Sequence, residues 1–281
     1  MSEDRSRARS RQTHQGRVLR TSRVTPHMIR VVLGGDGLRD FATGSYTDHY
    51  VKLVFPVPGV SYPEPFDVAA IRRDLPREQW PTTRTYTVRV WDPDARELTI
   101  DFVYHGDQGL AGPWAAAARP GDTLHLTGPG GGYAPDPDAD WHLMVGDESA
   151  LPAVAVALEA LPAGAVAKVF LEIAGPEEEQ KILSHGDVEI IWLDRGDRPA
   201  GTTLVPAVTA ADLPPGTPHA FVHGEAHFVR DLRRHLRHEL GLNRERMSVS
   251  GYWRRGVTED GWQAGKAEWN RQIERDQDGA E

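Results

Sequence analysis

The sequence predicts two folds in series: a β-rich first part that reads as a barrel, then an α/β part built on a parallel sheet. Three observations carry this. From Arg17 to Leu126 the apolar runs are short, rich in β-branched and aromatic residues, and separated by turn signals such as Gly34-Gly35-Asp36-Gly37 and Asp92-Pro93-Asp94. From Trp141 onward, strand-like runs alternate with helical ones, which calls for parallel pairing. Between the two parts, Ala134-Pro135-Asp136-Pro137-Asp138 combines a restricted backbone with solvated carboxylates, as a linker does. A chain of 281 residues also exceeds the usual size of one domain. The expected organisation is a disordered tail at 1–14, a barrel domain at 15–134 and an α/β domain with a C-terminal helical extension at 135–281.

In the first part, strands are expected at Arg17–Val24, Met28–Leu33, His49–Phe55, Thr85–Trp91, Leu98–Tyr104 and Thr123–Leu126. The Pro-rich stretch between Pro56 and Pro81 reads as a surface excursion with one short helix near Asp67–Leu75. In the second part, strands are expected at Trp141–Val145, Ala167–Ile173, Val188–Leu193, Ala220–Val222 and Met247–Tyr252. Helices are expected at Leu151–Leu161, Thr203–Ala210 and Ala226–Leu240. In the last of these, Phe228, Val229, Leu232, Leu236 and Leu240 share one face, while Arg233, Arg234, Arg237 and His238 lie elsewhere.

Composition excludes several functions. A net charge of −9 argues against a nucleic-acid binder, which needs a basic face. The absence of cysteine rules out disulfides, thiolate zinc sites and cysteine-ligated iron–sulfur clusters, so electrons would have to travel on an organic cofactor. The first residues lack the apolar core of a secretory signal. The longest apolar stretch, Ala150 to Leu171, is interrupted by Pro152, Glu159, Pro162, Gly164 and Lys168, so no membrane span is expected. A cytoplasmic location follows by default, and a monomer is the simpler expectation for assembly.

Several segments carry chemistry. In Arg84-Thr85-Tyr86-Thr87-Val88-Arg89, a cation, a ring and a hydroxyl fall within four residues, with Arg84 and Tyr86 on one strand face and Thr85 and Thr87 on the other. By spacing alone this is an ordinary half-exposed strand. Asp101-Phe102-Val103-Tyr104-His105-Gly106 then leads into Gly112-Pro113-Trp114-Ala115, where a Gly-containing turn opens a helix whose free N–H groups suit a pyrophosphate. Thr127-Gly128-Pro129-Gly130-Gly131-Gly132 is neither a Walker loop nor the dinucleotide fingerprint. Gly146-Asp147-Glu148-Ser149-Ala150 follows the first strand of the α/β part, where such sheets bind ligands, although Asp, Glu and Ser also serve there as helix caps. It lacks the second Gly of a nucleophile elbow.

Taken in order, and with Gly251-Tyr252-Trp253-Arg254-Arg255-Gly256, these segments resemble the siderophore-interacting protein family, flavin-dependent ferric-siderophore reductases of the ferredoxin-reductase-like superfamily. The likeness spans nearly the whole chain after the tail. It implies a six-stranded antiparallel flavin-binding barrel holding FAD, followed by a parallel-sheet α/β domain for NADH or NADPH. It further implies that Arg84, Tyr86, Thr87 and Val88 lie against the flavin. Asp101, Val103 and His105 would lie along its ribityl and adenine side, with Ala111, Trp114 and Ala115 by the pyrophosphate. Asp147, Glu148 and Ser149 become candidate nicotinamide-cofactor contacts.

The implied substrate is an anionic ferric siderophore of the catecholate or citrate type, met by Lys52 and Arg254 at matching positions, with Lys266 in the helical tail as a third cation. Lys52 also reads as a solvated strand edge, and Lys266 as a surface partner of Glu268 or Glu259. Some relatives have Arg after the Gly-Pro pair where this chain has Gly130. His219, His223 and His227 recur every four residues, and His235 and His238 are three apart, but ordinary roles account for both sets; no metal site is expected. No residue is required as a nucleophile, because the cofactor does the redox chemistry. Arg195 and Arg198 could meet a 2′-phosphate, but Asp194 and Asp197 offset them, leaving NADH and NADPH both open. A general flavin or quinone reductase and a non-catalytic siderophore-binding flavoprotein remain as alternatives.

Overall fold

A computed structural model describes residues 12–278. They form two compact units that divide between Ala134 and Pro135. Of the tail expected at 1–14, residues 1–11 lie outside the described residues. Thr13 and His14 instead begin β1 (Thr13–Thr25). The polar composition hides this start, because only alternate residues of β1 face inward and Thr13 is aligned by pairing with Thr127.

The first unit is a single antiparallel sheet. After β1 come β2 (Met28–Gly34), β3 (Tyr50–Phe55), β4 (Thr82–Thr87), β5 (Val90–Asp92), β6 (Glu97–Val103) and β7 (Thr123–Gly130), in the spatial order β4-β3-β7-β1-β2-β6-β5. The sheet thus has seven strands where six were expected, because the run Thr85–Trp91 is divided. Val88 N donates to His49 O at 2.7 Å, and Arg89 N donates to Thr99 O at 2.9 Å. Within two residues the backbone leaves β3 for β6. The outermost strands β4 and β5 are therefore consecutive in the chain, and the sheet curls so that both of its edges are served by one kinked run. Inside, Val31, Leu33, Leu53, Ile100, Phe102 and Leu126 form the core.

Two short helices are fixed to this sheet. Helix α1 (Val68–Asp74) lies in the Pro-rich excursion. Asp67 caps it by accepting from Ala69 N and Ala70 N, and Val68 and Ile71 are buried beneath it. Helix α2 (Ala111–Ala117) buries Ala111 and Ala115.

The second unit has five parallel strands: β8 (Trp141–Gly146), β9 (Val166–Ile173), β10 (Asp187–Asp194), β11 (Pro218–Glu225) and β12 (Met247–Trp253). Their order, β10-β9-β8-β11-β12, reverses direction of progression between β8 and β11. In open α/β sheets a ligand crevice forms at that reversal, outside the carboxyl ends of the strands. The helices are α3 (Leu151–Glu159), α4 (Leu204–Thr209), α5 (Ala226–His238) and α6 (Glu259–Asp278). Helix α5 buries Phe228, Val229, Leu232 and Leu236, its apolar face. Strand β11 is longer than the expected Ala220–Val222. His219, His223 and Glu225 obscured it, since their polarity does not read as a central strand, yet every residue of β11 is buried.

Glu172 on β9 shows how such polar groups are accommodated. Fully buried, its carboxylate accepts from Gly201 N, Thr203 N, Thr203 Oγ1 and Leu204 N, and so caps the start of α4 from another element. Replacing Glu172 by Ala orphans these donors. We expect a loss of about 3 kcal/mol in urea unfolding, whereas an unchanged midpoint would show that the cap contributes nothing.

Candidate functional site

In the first unit the candidate site is built on β4. The antiparallel register sets Arg84 opposite Leu53 and Tyr86 opposite Val51, so both lie on the core side of the strand. Thr85 and Thr87 oppose Lys52 and Tyr50 on the other side. Tyr86 packs on Phe102 with ring centroids 4.6 Å apart, and Phe102 in turn meets Trp114 of α2 at 5.7 Å. Tyr86 and Trp114 keep part of their ring surface accessible over the buried Phe102. Arg84, half-buried, donates from Nη1 to Thr83 O at 2.9 Å. A flat apolar shelf beside a half-buried cation fits a planar ring system attached to an anionic chain.

Other expected contacts have different surroundings. Val88, Ala111 and Ala115 are core residues, their side chains buried in the first unit. Asp101 is buried, and Arg30 takes both of its carboxylate oxygens at 2.7 Å, with Arg89 Nε 3.9 Å away. Its carboxylate therefore joins β2 to β6. Val103 is half-buried at the end of β6, while His105 is exposed, its ring 6.1 Å from that of His27.

In the second unit the carboxyl ends of β8, β11 and β12 meet around Asp147, which is only 1% exposed. Its Oδ1 accepts from Ser149 N and Ser149 Oγ, and its Oδ2 from Glu225 N and Trp253 Nε1. Burial, reinforced by the charge of Glu148, pushes the Asp147 carboxyl up to about 6 despite these donors. Gly224, at φ 138°, makes the approach possible, since a Cβ there would lie 2.8 Å from Asp147 Cγ. Glu148 is also buried and pairs with Arg195 Nη1 at 2.5 Å. Arg198 donates to Arg195 O and Asp194 O. Of the three acidic-turn candidates, Ser149 alone presents a half-exposed side chain.

Sequence reasoning missed Glu225, and it weighed Arg195 for a 2′-phosphate rather than as the partner of Glu148. Glu225 accepts from His227 N, His227 Nδ1 and Arg255 N, and so holds the turn that carries Arg254. The available signal was Gly224-Glu225, a Gly-acid pair ending a buried strand as Gly146-Asp147 does. Arg254 stacks over Trp269 of α6, its Cζ 4.3 Å from the ring centroid. Lys266 on the same helix donates to Ser250 Oγ at 3.0 Å, while Glu268 is engaged by Arg271 and Arg275. Lys52 belongs to the first unit, Arg254 and Lys266 to the second. Among the described residues, no three His, Asp or Glu groups converge as metal ligands. His219 Nδ1 accepts from Asp136 N, and His223 Nε2 meets Ser248 Oγ.

Comparison with known proteins decides the family. Residues 17–133 match the siderophore-interacting FAD-binding domain, and residues 139–256 match the siderophore-interacting protein model. The chain belongs to the siderophore-interacting protein family. Its first unit is the family's FAD-binding domain, and the Tyr86–Trp114 shelf with Arg84 lies inside the matched segment. The chain is 35% identical over 249 residues to the ferric vibriobactin reductase of Vibrio cholerae, covering 87% of this chain and 90% of that one. It is 32% identical to the NADPH-dependent ferric-chelate reductase of Escherichia coli, covering 84% and 91%. A siderophore utilization protein from T. fusca superimposes with a TM-score of 0.76 at 38% identity, over 88% of this chain and 95% of that one.

Two predictions follow from the buried groups of the second unit. Asp147→Asn places an amide donor among four donors, so we expect a loss of about 2 kcal/mol in stability and a red shift of Trp253 emission. Unchanged emission and stability would show that the carboxylate does not organise the strand ends. Burial also lowers His142 to about 4 and His223 to about 3. Both are held neutral in the fold but protonate when it opens, so their contribution is present above about 6.5 and is lost as pH falls toward 4. Asp147, raised to about 6, acts oppositely, but His219 and Glu225, both lowered, act in the same direction as the two histidines. Stability should therefore decline by about 1 kcal/mol per pH unit below pH 6, and His142→Gln should flatten that slope.

Proposed function

We propose that this protein is a ferric-siderophore reductase that uses FAD and NADH or NADPH to reduce the iron of a ferric siderophore and release it as Fe(II). The observation that carries this is the match of both units, in order, to the two models of one family, with the aromatic shelf of Tyr86 and Trp114 and the Arg84 cation inside the flavin-binding part. The names of the relatives in V. cholerae and E. coli support it. When bound, the flavin supplies the conversion of an electron pair from the nicotinamide into single electrons, so ferric chelates are consumed in pairs.

The residues of this chain bind and orient. Tyr86 and Trp114 offer ring surface to the isoalloxazine, and Arg84 offers charge to the pyrophosphate. Thr87 supplies a hydroxyl at the strand end, and Val88, Ala111 and Ala115 exclude water behind the ring. At the strand-order reversal of the second unit, Ser149 is the side chain we assign to nicotinamide-cofactor contact, with Asp147 and Glu148 holding its turn in place. Lys52, Arg254 and Lys266 supply positive charge for an anionic chelate, in a chain that is acidic as a whole. The chelate itself fills the coordination sphere of the iron, so the reduction needs no protein ligand. NADH and NADPH are cytoplasmic reductants, and we place the reaction there.

Anaerobic stopped-flow mixing tests the proposal: NADH or NADPH should bleach the flavin absorbance, and ferric siderophore should restore it with formation of Fe(II). Reoxidation by oxygen alone would sink the iron reaction and leave a general flavin reductase. In Arg84→Ala the dissociation constant for FAD should rise about tenfold or more. The apoprotein should unfold as the wild type does, and retention of FAD at wild-type affinity would remove Arg84 from the site.

A further inference from the structure

Of the eight tryptophans, all among the described residues, Trp253 alone is exposed, at 37% of its surface. It ends β12, where the register sets it beside Glu225 at the end of β11. From there its Nε1 donates to Asp147 Oδ2 at 2.8 Å, in the turn after β8. The indole thus reaches from β12 across the end of β11 toward β8, which is where the strand order reverses. The neighbouring rings are otherwise engaged: Tyr252 meets His223 at 5.0 Å, Trp262 is buried, and Trp269 lies under Arg254. Trp253 has its polar edge bound, and among the described residues its ring faces carry no aromatic or cationic partner.

The acceptor that holds this indole is itself fixed. Asp147 Oδ2 also accepts from Glu225 N at 2.9 Å, and Oδ1 accepts from Ser149 N and Ser149 Oγ. A ring held outward before any ligand arrives spares the complex the cost of ordering it. Because the Ser149 hydroxyl gives its proton to Asp147, the lone pairs of Oγ are left to accept an N–H from a ligand. One carboxylate therefore orients a flat apolar face and, beside it, a hydroxyl oxygen committed to accepting. That pair suits a planar ring bearing a primary carboxamide. The negative charge of Asp147 at the edge of the indole disfavours phosphate oxygens there, so the ring end of a dinucleotide fits and its pyrophosphate does not.

We propose that Trp253 is the platform on which the nicotinamide ring of the reductant stacks, with Ser149 Oγ accepting from the carboxamide. This deepens the reductase reading and rests on it for the identity of the cofactor. Asp147 is a positioning residue that acts through both side chains, and Trp253 is the binding surface.

The test is titration of the FAD-loaded protein with NAD+ and NADP+, neither of which reduces the flavin, followed by calorimetry and by tryptophan emission. The difference between wild type and Trp253→Phe isolates the emission of Trp253. That emission should be quenched by whichever dinucleotide binds and by nicotinamide mononucleotide, and it should persist with adenosine monophosphate. Trp253→Phe keeps a ring and loses the hydrogen bond to Asp147, so its dissociation constant should stay within about threefold of wild type. Trp253→Leu loses both, and its dissociation constant should rise about tenfold. Unquenched Trp253 emission in the saturated complex, quenching by adenosine monophosphate alone, or equal affinities in Trp253→Leu and Trp253→Phe would overturn the platform. In a protein whose flavin is still bleached by NADH or NADPH, those outcomes leave the reductase reading standing. Trp253-dependent binding in a protein that reduces no ferric chelate would keep the platform and overturn the reductase reading. Failure of both dinucleotides to bind the wild type would overturn the platform and the nicotinamide part of that reading together.

Discussion

A carboxylate removed from water must be surrounded by donors, and this requirement organises both units. Asp101, Asp147, Glu172 and Glu225 are all buried. Each reaches donors from elements distant in sequence: Arg30 for Asp101, Glu225 N and Trp253 for Asp147, the start of α4 for Glu172, and Arg255 N for Glu225. Because an unpaired buried charge costs several kcal/mol, these networks admit one arrangement of strands and loops rather than several. At Asp147 and Glu225 the requirement coincides with the strand-order reversal, where a parallel sheet offers its ligand crevice. The acidic turn after β8 is thus first a fastening, and what remains for a ligand is the surface it presents.

The first unit meets a different constraint. A sheet whose edges are left open exposes unpaired backbone groups, and here the two edges are supplied by one run of chain that changes partner between Val88 and Arg89. The same kink ends β4 just after Arg84 and Tyr86, so the shelf formed with Phe102 and Trp114 sits where the strand leaves its neighbour. Closure of the sheet and presentation of the Tyr86–Trp114 shelf have one structural cause.

Legibility differed with the kind of information needed. Helix α1 could be read from Asp67 as a cap and from Val68 and Ile71 as its buried face, all local features. The parallel strands β8, β9, β10 and β12 could be read from apolar runs. Strand β11 was cut short because His219, His223 and Glu225 look exposed in sequence, and only their partners across the sheet make their burial tolerable. Asp101 and Glu148 looked like cofactor contacts because their neighbourhoods were unknown. Arg30 and Arg195, distant in sequence, take those carboxylates.

The sequence by itself determined the family and the β-then-α/β order, because these rest on short-range pattern and on motifs in series. Only the tertiary structure decided which of the charged groups are spent on holding the fold and which are left to meet a ligand. The physical reason is that a charge is defined by its surroundings: Asp147, Glu148 and Lys52 are all polar letters in the chain, but two are enclosed among donors and one stands without a partner among the described residues.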